Sequence, residues 1–83
     1  MFFRMTPLQC IAARSLLGWS QPDLEREAGV VLEDIIRFEN NNSGVSIDVI
    51  ASMETTFEYA GIEFSKPEDV SDTGVRLRVK SDE

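Results

Sequence analysis

Few side chains of this 83-residue chain are equipped for chemistry, and Arg37 is the most versatile of them. Its planar guanidinium holds donors in a fixed fork and can bond two acceptors of one flat group together. Glu33 lies one helical turn earlier, so Arg37 could equally pair with it or with Glu25. Cys10 is the only cysteine and histidine is absent, which excludes an internal disulfide, a Cys/His zinc site and histidine acid–base work. Cys10 reads as a small core filler rather than a redox handle. There is no glycine-rich phosphate cradle, no nucleophile–base pair and no metal-ligand cluster, and the many carboxylates fall in surface-like positions. Neither an enzyme nor a cofactor is expected.

The elements that must position Arg37 can be read from caps and spacing. Ser20 stands as an N-cap, Asp23 three residues on can return a bond to its backbone, and Pro22 fits the first turn. Gly29 follows and can take the left-handed conformation that ends a helix. A second helix then begins near Val31 or Leu32, with Leu32, Ile35 and Phe38 on the face laid against a core. Two helices separated by so short a turn must cross steeply. This predicts a helix-turn-helix.

At this point the chain resembles the lambda-repressor-like, Cro/CI or XRE-type, helix-turn-helix family of bacterial DNA-binding regulators. The likeness rests on Trp19-Ser20-Gln21, Leu24, Ala28-Gly29-Val30, Ile35 and Arg37-Phe38-Glu39, within surroundings from Thr6 to Gly61. The tail, with Gly61-Ile62-Glu63-Phe64 and Gly74-Val75-Arg76-Leu77-Arg78, is similar to that of very small regulators of this type. The resemblance implies that Gln21 anchors to the DNA backbone and that the second motif helix enters the major groove. By position, its groove-facing candidates are Val31, Leu32, Glu33, Ile36 and Arg37, with Asn41, Asn42 and Ser43 set to meet phosphate. Arg37 suits guanine O6 and N7, Glu33 a cytosine amino group, and Leu32 or Ile36 a thymine methyl. Each has a plainer reading: Leu32 and Ile36 as core or interface, and the asparagines as turn formers.

Two departures from the family pattern stand out. Val31 occupies the place of a Ser or Thr cap, so that helix end needs another partner or water. Glu25 occupies the place of a small residue, commonly Ala, between the motif helices. Charge points the same way: the chain carries a net charge of −7, and Glu33 and Asp34 put carboxylates on the helix meant for a polyanion. Non-specific DNA affinity comes from neutralising phosphates, so it should be weak here, and Arg14, Arg26 and Arg37 are the well-placed cations of the helical body. The expected function is a sequence-specific transcriptional regulator, a repressor or autoregulator, that binds an inverted-repeat operator as a homodimer. The alternative is an acidic helix-turn-helix module turned to protein binding, an anti-activator, antitoxin-like or DNA-mimic protein that docks on a basic partner.

The rest of the chain supplies a frame. Thr6, Pro7 and Gln9 open a helix whose core face is expected to be Leu8, Ile11, Ala12, Ser15 and Leu16, ended by Gly18. Asn40 to Gly44 is a polar turn, and Val45 with Ile50 staples a cap at Ser46. Ile47, Ile50, Ala51, Met53, Phe57 and Ala60 then mark an amphipathic helix stopped by Gly61. Ile62 to Phe64 and Val75 to Val79 read as strands across a charged connection, Lys66 to Gly74. The expected fold is all-α, a four- to five-helix domain over residues 1–61 with a C-terminal β extension over 62–83. A lone hairpin is marginal in water, so its apolar face lies on the body or its edge pairs with a second copy. Phe64, Val75, Leu77 and Val79 are taken as that dimerisation device, and Arg76, Arg78 and Lys80 as a charged, solvated edge. No apolar run approaches the ~20 residues of a membrane span, and with a single thiol and no signal-like opening the expectation is a cytoplasmic protein without a small-molecule ligand.

Overall fold

The computed structural model of the chain describes residues 5–42, 44–64 and 75–77. They form α1 (Pro7–Leu17), α2 (Gln21–Ala28), α3 (Leu32–Glu39), α4 (Ile47–Tyr59) and two short strands, β1 (Ile62–Phe64) and β2 (Val75–Leu77). This is a small, all-α architecture of four helices, not five, among the described residues. Ser43, the connection over 65–74, Arg78, Val79 and Lys80 lie outside them.

Local chemistry sets the helix ends. The Thr6 hydroxyl accepts from the Gln9 N–H at 3.1 Å while the Gln9 side chain accepts from the Thr6 N–H at 2.9 Å, and Ser20 and Asp23 repeat this reciprocal cap at the same two distances. Ser46 caps α4 by accepting from the Val49 N–H. Gly18 and Gly29 close α1 and α2 at φ 71° and 70°, where a Cβ would be strained by the backbone itself rather than by any neighbour.

The core is built from Met5, Cys10, Ala13, Leu24, Ile35, Phe38, Met53, Phe57 and Ile62. α3 packs on α1 and α2, α2 on α4, and the hairpin closes one end with β1 beside α4 and β2 beside α1. Trp19 covers this core, stacked on Phe57 with ring centroids 5.9 Å apart. Phe64 meets the same Phe57 ring edge-on at 6.2 Å. β1 and β2 pair antiparallel within the chain, Ile62 opposite Leu77, Glu63 opposite Arg76 and Phe64 opposite Val75.

Two helix faces differ from expectation. In α1 the buried residues are Gln9, Cys10 and Ala13, with Leu17 packed behind them, whereas Leu8, Ile11, Ser15 and Leu16 are exposed and Ala12 is half-buried. Both sets have helical spacing; the small residues Cys10 and Ala13 win because they let α1 approach α3 closely and bring Arg14 to a carboxylate on it. In α4, Met53 and Phe57 are buried as predicted, but Ile47 and Ala51 face outward. Ile47 is the first residue of α4, directly after the Ser46 cap.

Candidate functional site

Glu39, the last residue of α3, continues the buried stripe of Leu32 and Ile35, and it draws three elements together. Arg14 from α1 donates through Nε and Nη2 to its two carboxylate oxygens, each at 2.7 Å. Gln21 from α2 donates its side-chain amide to Oε1 at 2.9 Å, and the Cys10 thiol donates to Oε2 at 3.1 Å. Arg14 also bonds the Trp19 carbonyl at 3.1 Å, closing the turn between α1 and α2. The Glu39 side chain is only 4% exposed. Burial pushes its carboxyl up, but the hydrogen bonds from Arg14, Gln21 and Cys10, with the Arg14 charge, outweigh it and hold the group below the ordinary carboxylate value. The same neighbourhood raises the Arg14 pKa, chiefly through its bond to Glu39. Burial first, then Glu39, pushes the Cys10 thiol far above its usual range, which makes it an inert core group rather than a nucleophile.

This cluster revises two expectations. Glu39 is not a surface carboxylate, and Arg14 is not a free cation. Its guanidinium is engaged on both sides, so of the three arginines Arg14 belongs to the core. Arg26 lies at the surface, 3.0 Å from Asp23. The signal that could have found the cluster is in the spacing: Glu39 stands seven residues after Leu32 and four after Ile35, an acid on an otherwise apolar face.

The junction of α2 and α3 shows how the missing cap is replaced. Val31 makes no side-chain cap bond. Glu25 of α2 reaches across the Gly29 turn instead, and its carboxylate accepts from the Leu32 N–H at 3.0 Å. The acid at position 25 and the apolar residue at the cap position therefore compensate each other: Glu25 serves the helix whose own cap, Val31, cannot. With Glu33 and Asp34, three carboxylates gather at the α3 N-terminus, where the helix dipole favours them.

The remaining predicted residues lie on or beside the outward side of this pair. Val31, Glu33, Ile36 and Arg37 are exposed, with Val31 at 59%, while Leu32 is half-buried. Arg37 pairs with neither Glu33 nor Glu25, and among the described residues its guanidinium has no ion-pair partner. At the other end of α3, Asn41 takes the left-handed conformation at φ 63° and the Asn42 N–H bonds the Arg37 carbonyl at 2.9 Å. Both asparagine side chains are exposed beyond that turn, and Ser43 lies outside the described residues. Gln21 is the member that links this surface to the interior, because its amide is already bonded to Glu39.

Of the proposed dimerisation residues, Phe64 is half-buried against Phe57, Val75 and Leu77 pair with β1 of the same chain, and Val79 lies outside the described residues. Among the described residues no group of acids and cysteine is placed to hold a metal ion, and no helix is long and apolar enough to cross a membrane. In comparison with known proteins, no family model matches the chain and no curated protein matches it.

Proposed function

We propose that this chain is a lambda-repressor-like helix-turn-helix transcriptional regulator, a repressor or autoregulator that binds an inverted-repeat operator as a homodimer with α3 in the major groove. The observation that carries the reading is the contrast within α3. Its inner face is anchored by Ile35, Phe38 and Glu39, while Glu33, Ile36 and Arg37, which has no ion-pair partner among the described residues, project outward from a short, capped helix. A helix held so firmly from behind can offer its outer side chains to base edges without losing its register.

In this reading Arg37 bonds a guanine through O6 and N7, Glu33 accepts from a cytosine amino group, and Ile36 packs on a thymine methyl. Gln21 meets phosphate at the start of α2. A side-chain amide carries two hydrogens, and one bond to Glu39 leaves the other for an anion. Asn41 and Asn42 sit beyond the end of α3 as further donors. With Arg14 withdrawn into the core, Arg26 and Arg37 are the cations left on the helical body to neutralise phosphate, so affinity must come largely from base contacts doubled across two half-sites roughly 34 Å apart.

The test is a fluorescence anisotropy titration of the protein against the DNA immediately upstream of its own coding sequence, with scrambled DNA alongside and salt varied. Tight, sequence-dependent binding with a shallow salt slope supports the reading. Failure to bind even at low salt overturns it.

A second reading has one observation in its favour. The N-terminus of α3 combines exposed Val31 and Ile36 with Glu25, Glu33 and Asp34, an apolar centre with an acidic rim that suits a basic protein partner. A protein that ignores DNA yet binds a basic regulator would establish this reading instead.

A further inference from the structure

α1 differs from the other three helices in one respect that concerns assembly. α2, α3 and α4 each carry three acidic residues, whereas α1 carries none. Its single charge is Arg14, whose guanidinium is engaged by Glu39 and by the Trp19 carbonyl. Among the described residues, the outward side of α1 therefore carries no charge of its own, and it is also apolar: Leu8 is 75% exposed, Leu16 45% and Ile11 38%, with Ala12 and Ser15 between them.

We propose that this face is where a second copy of the chain docks, α1 against α1 in antiparallel, isologous fashion. The occupant follows from charge. In a chain of net charge −7, two copies meeting through α2, α3 or α4 would bring exposed carboxylates of both together, Glu27 on α2, Glu33 on α3 and Asp48 and Glu58 on α4, and α1 is the helix that carries none. A strongly charged partner would gain nothing from a neutral surface. Shape agrees as well: in an antiparallel pair centred between Ile11 and Ala12, the large Leu8 of one copy lies opposite the small Ser15 of the other, and Ile11 opposite Ala12. Large side chains then fill the spaces above small ones. The inference rests on the homodimer of the proposed function for its role on an operator, but the contact itself is read from α1 alone.

The experiment is sedimentation equilibrium of the full chain without DNA, comparing wild type with Leu8→Glu/Ile11→Glu and with Ile47→Glu as an exposed apolar control on α4. Wild type should sediment as a dimer. The double variant should keep its helical circular dichroism and weaken dimerisation by tenfold or more, since each lost apolar contact is repeated by symmetry and new like charges face each other (roughly one decade per ~1.4 kcal/mol). Ile47→Glu should remain dimeric. A wild type that is monomeric at roughly 0.1 mM, or a folded double variant that dimerises like wild type, overturns the proposal. Should the double variant fail to fold, Ile11→Cys and Ile47→Cys treated with a short bismaleimide give the answer, because buried Cys10 does not compete. Covalent dimer with Ile11→Cys but not Ile47→Cys supports the contact; the reverse overturns it. Because no DNA is present, a failure of the operator reading leaves these results unaltered.

Discussion

Arg14 and Arg37 are the same side chain in opposite circumstances. Arg14 makes three hydrogen bonds and is 17% exposed; Arg37 is exposed and has no ion-pair partner among the described residues. The carboxylates divide in the same way, Glu39 drawn into the core and Glu33 left in water. Residue type alone does not tell which charges hold a fold and which are offered outward. Removing a charge of the first kind should cost stability and removing one of the second should cost binding.

The largest effect is expected at Glu39. Glu39→Ala leaves the Arg14 guanidinium partly buried without its partner and should cost about 3–5 kcal/mol. At about 4–8 °C per kcal/mol for a domain of this size, thermal melts should show a fall in Tm of roughly 12 °C or more. A loss smaller than about 1 kcal/mol would erase the distinction between the two arginines. Arg37→Ala should behave oppositely, with a melting curve within about 0.5 kcal/mol of wild type and operator binding weakened by about 1–3 kcal/mol. A melt that falls as far as that of Glu39→Ala would give Arg37 a structural role.

Smaller effects sharpen the account at the helix junction. Glu25→Ala should destabilise by about 0.5–2 kcal/mol because the Leu32 N–H loses its acceptor. Adding Val31→Ser should restore much of this loss, and a double variant no more stable than Glu25→Ala would remove Glu25 from the cap. Acid provides a graded version of the same contrast. Glu39 and Asp23 are both held below their ordinary values in the folded chain, so the unfolded state binds more protons as the pH drops. Their contribution is present above the ordinary carboxylate range and is lost as pH falls through it toward the depressed folded values. Tm should therefore decline from about pH 5 downward, and Glu39→Gln, already less stable, should decline less steeply. Arg26→Ala closes the scale: its exposed pair with Asp23 should matter by less than about 0.5 kcal/mol.

How much of this was legible in the sequence depended on distance along the chain. The caps at Thr6, Ser20 and Ser46 and the glycine stops were readable because each is settled within four residues. The inner face of α3 was readable because Leu32, Ile35 and Phe38 offer no competing stripe. On α1 two stripes compete, and the choice falls to Glu39, 25 residues beyond Arg14, which no local pattern carries. The Glu25 cap was hidden for a related reason, since it reaches seven residues across a turn to a backbone group. Glu25 and Val31 were each visible as oddities; that one answers the other became visible only in three dimensions.

The most direct test of the division between anchoring and offered charges is a base-by-base interference footprint of wild type and Arg37→Ala on the operator, with melting curves recorded on the same samples. Arg37→Ala should melt like wild type and lose protection at one guanine per half-site while the rest of the footprint stays. An unchanged footprint from a protein that still binds would contradict this, because Arg37 would then be exposed without being used.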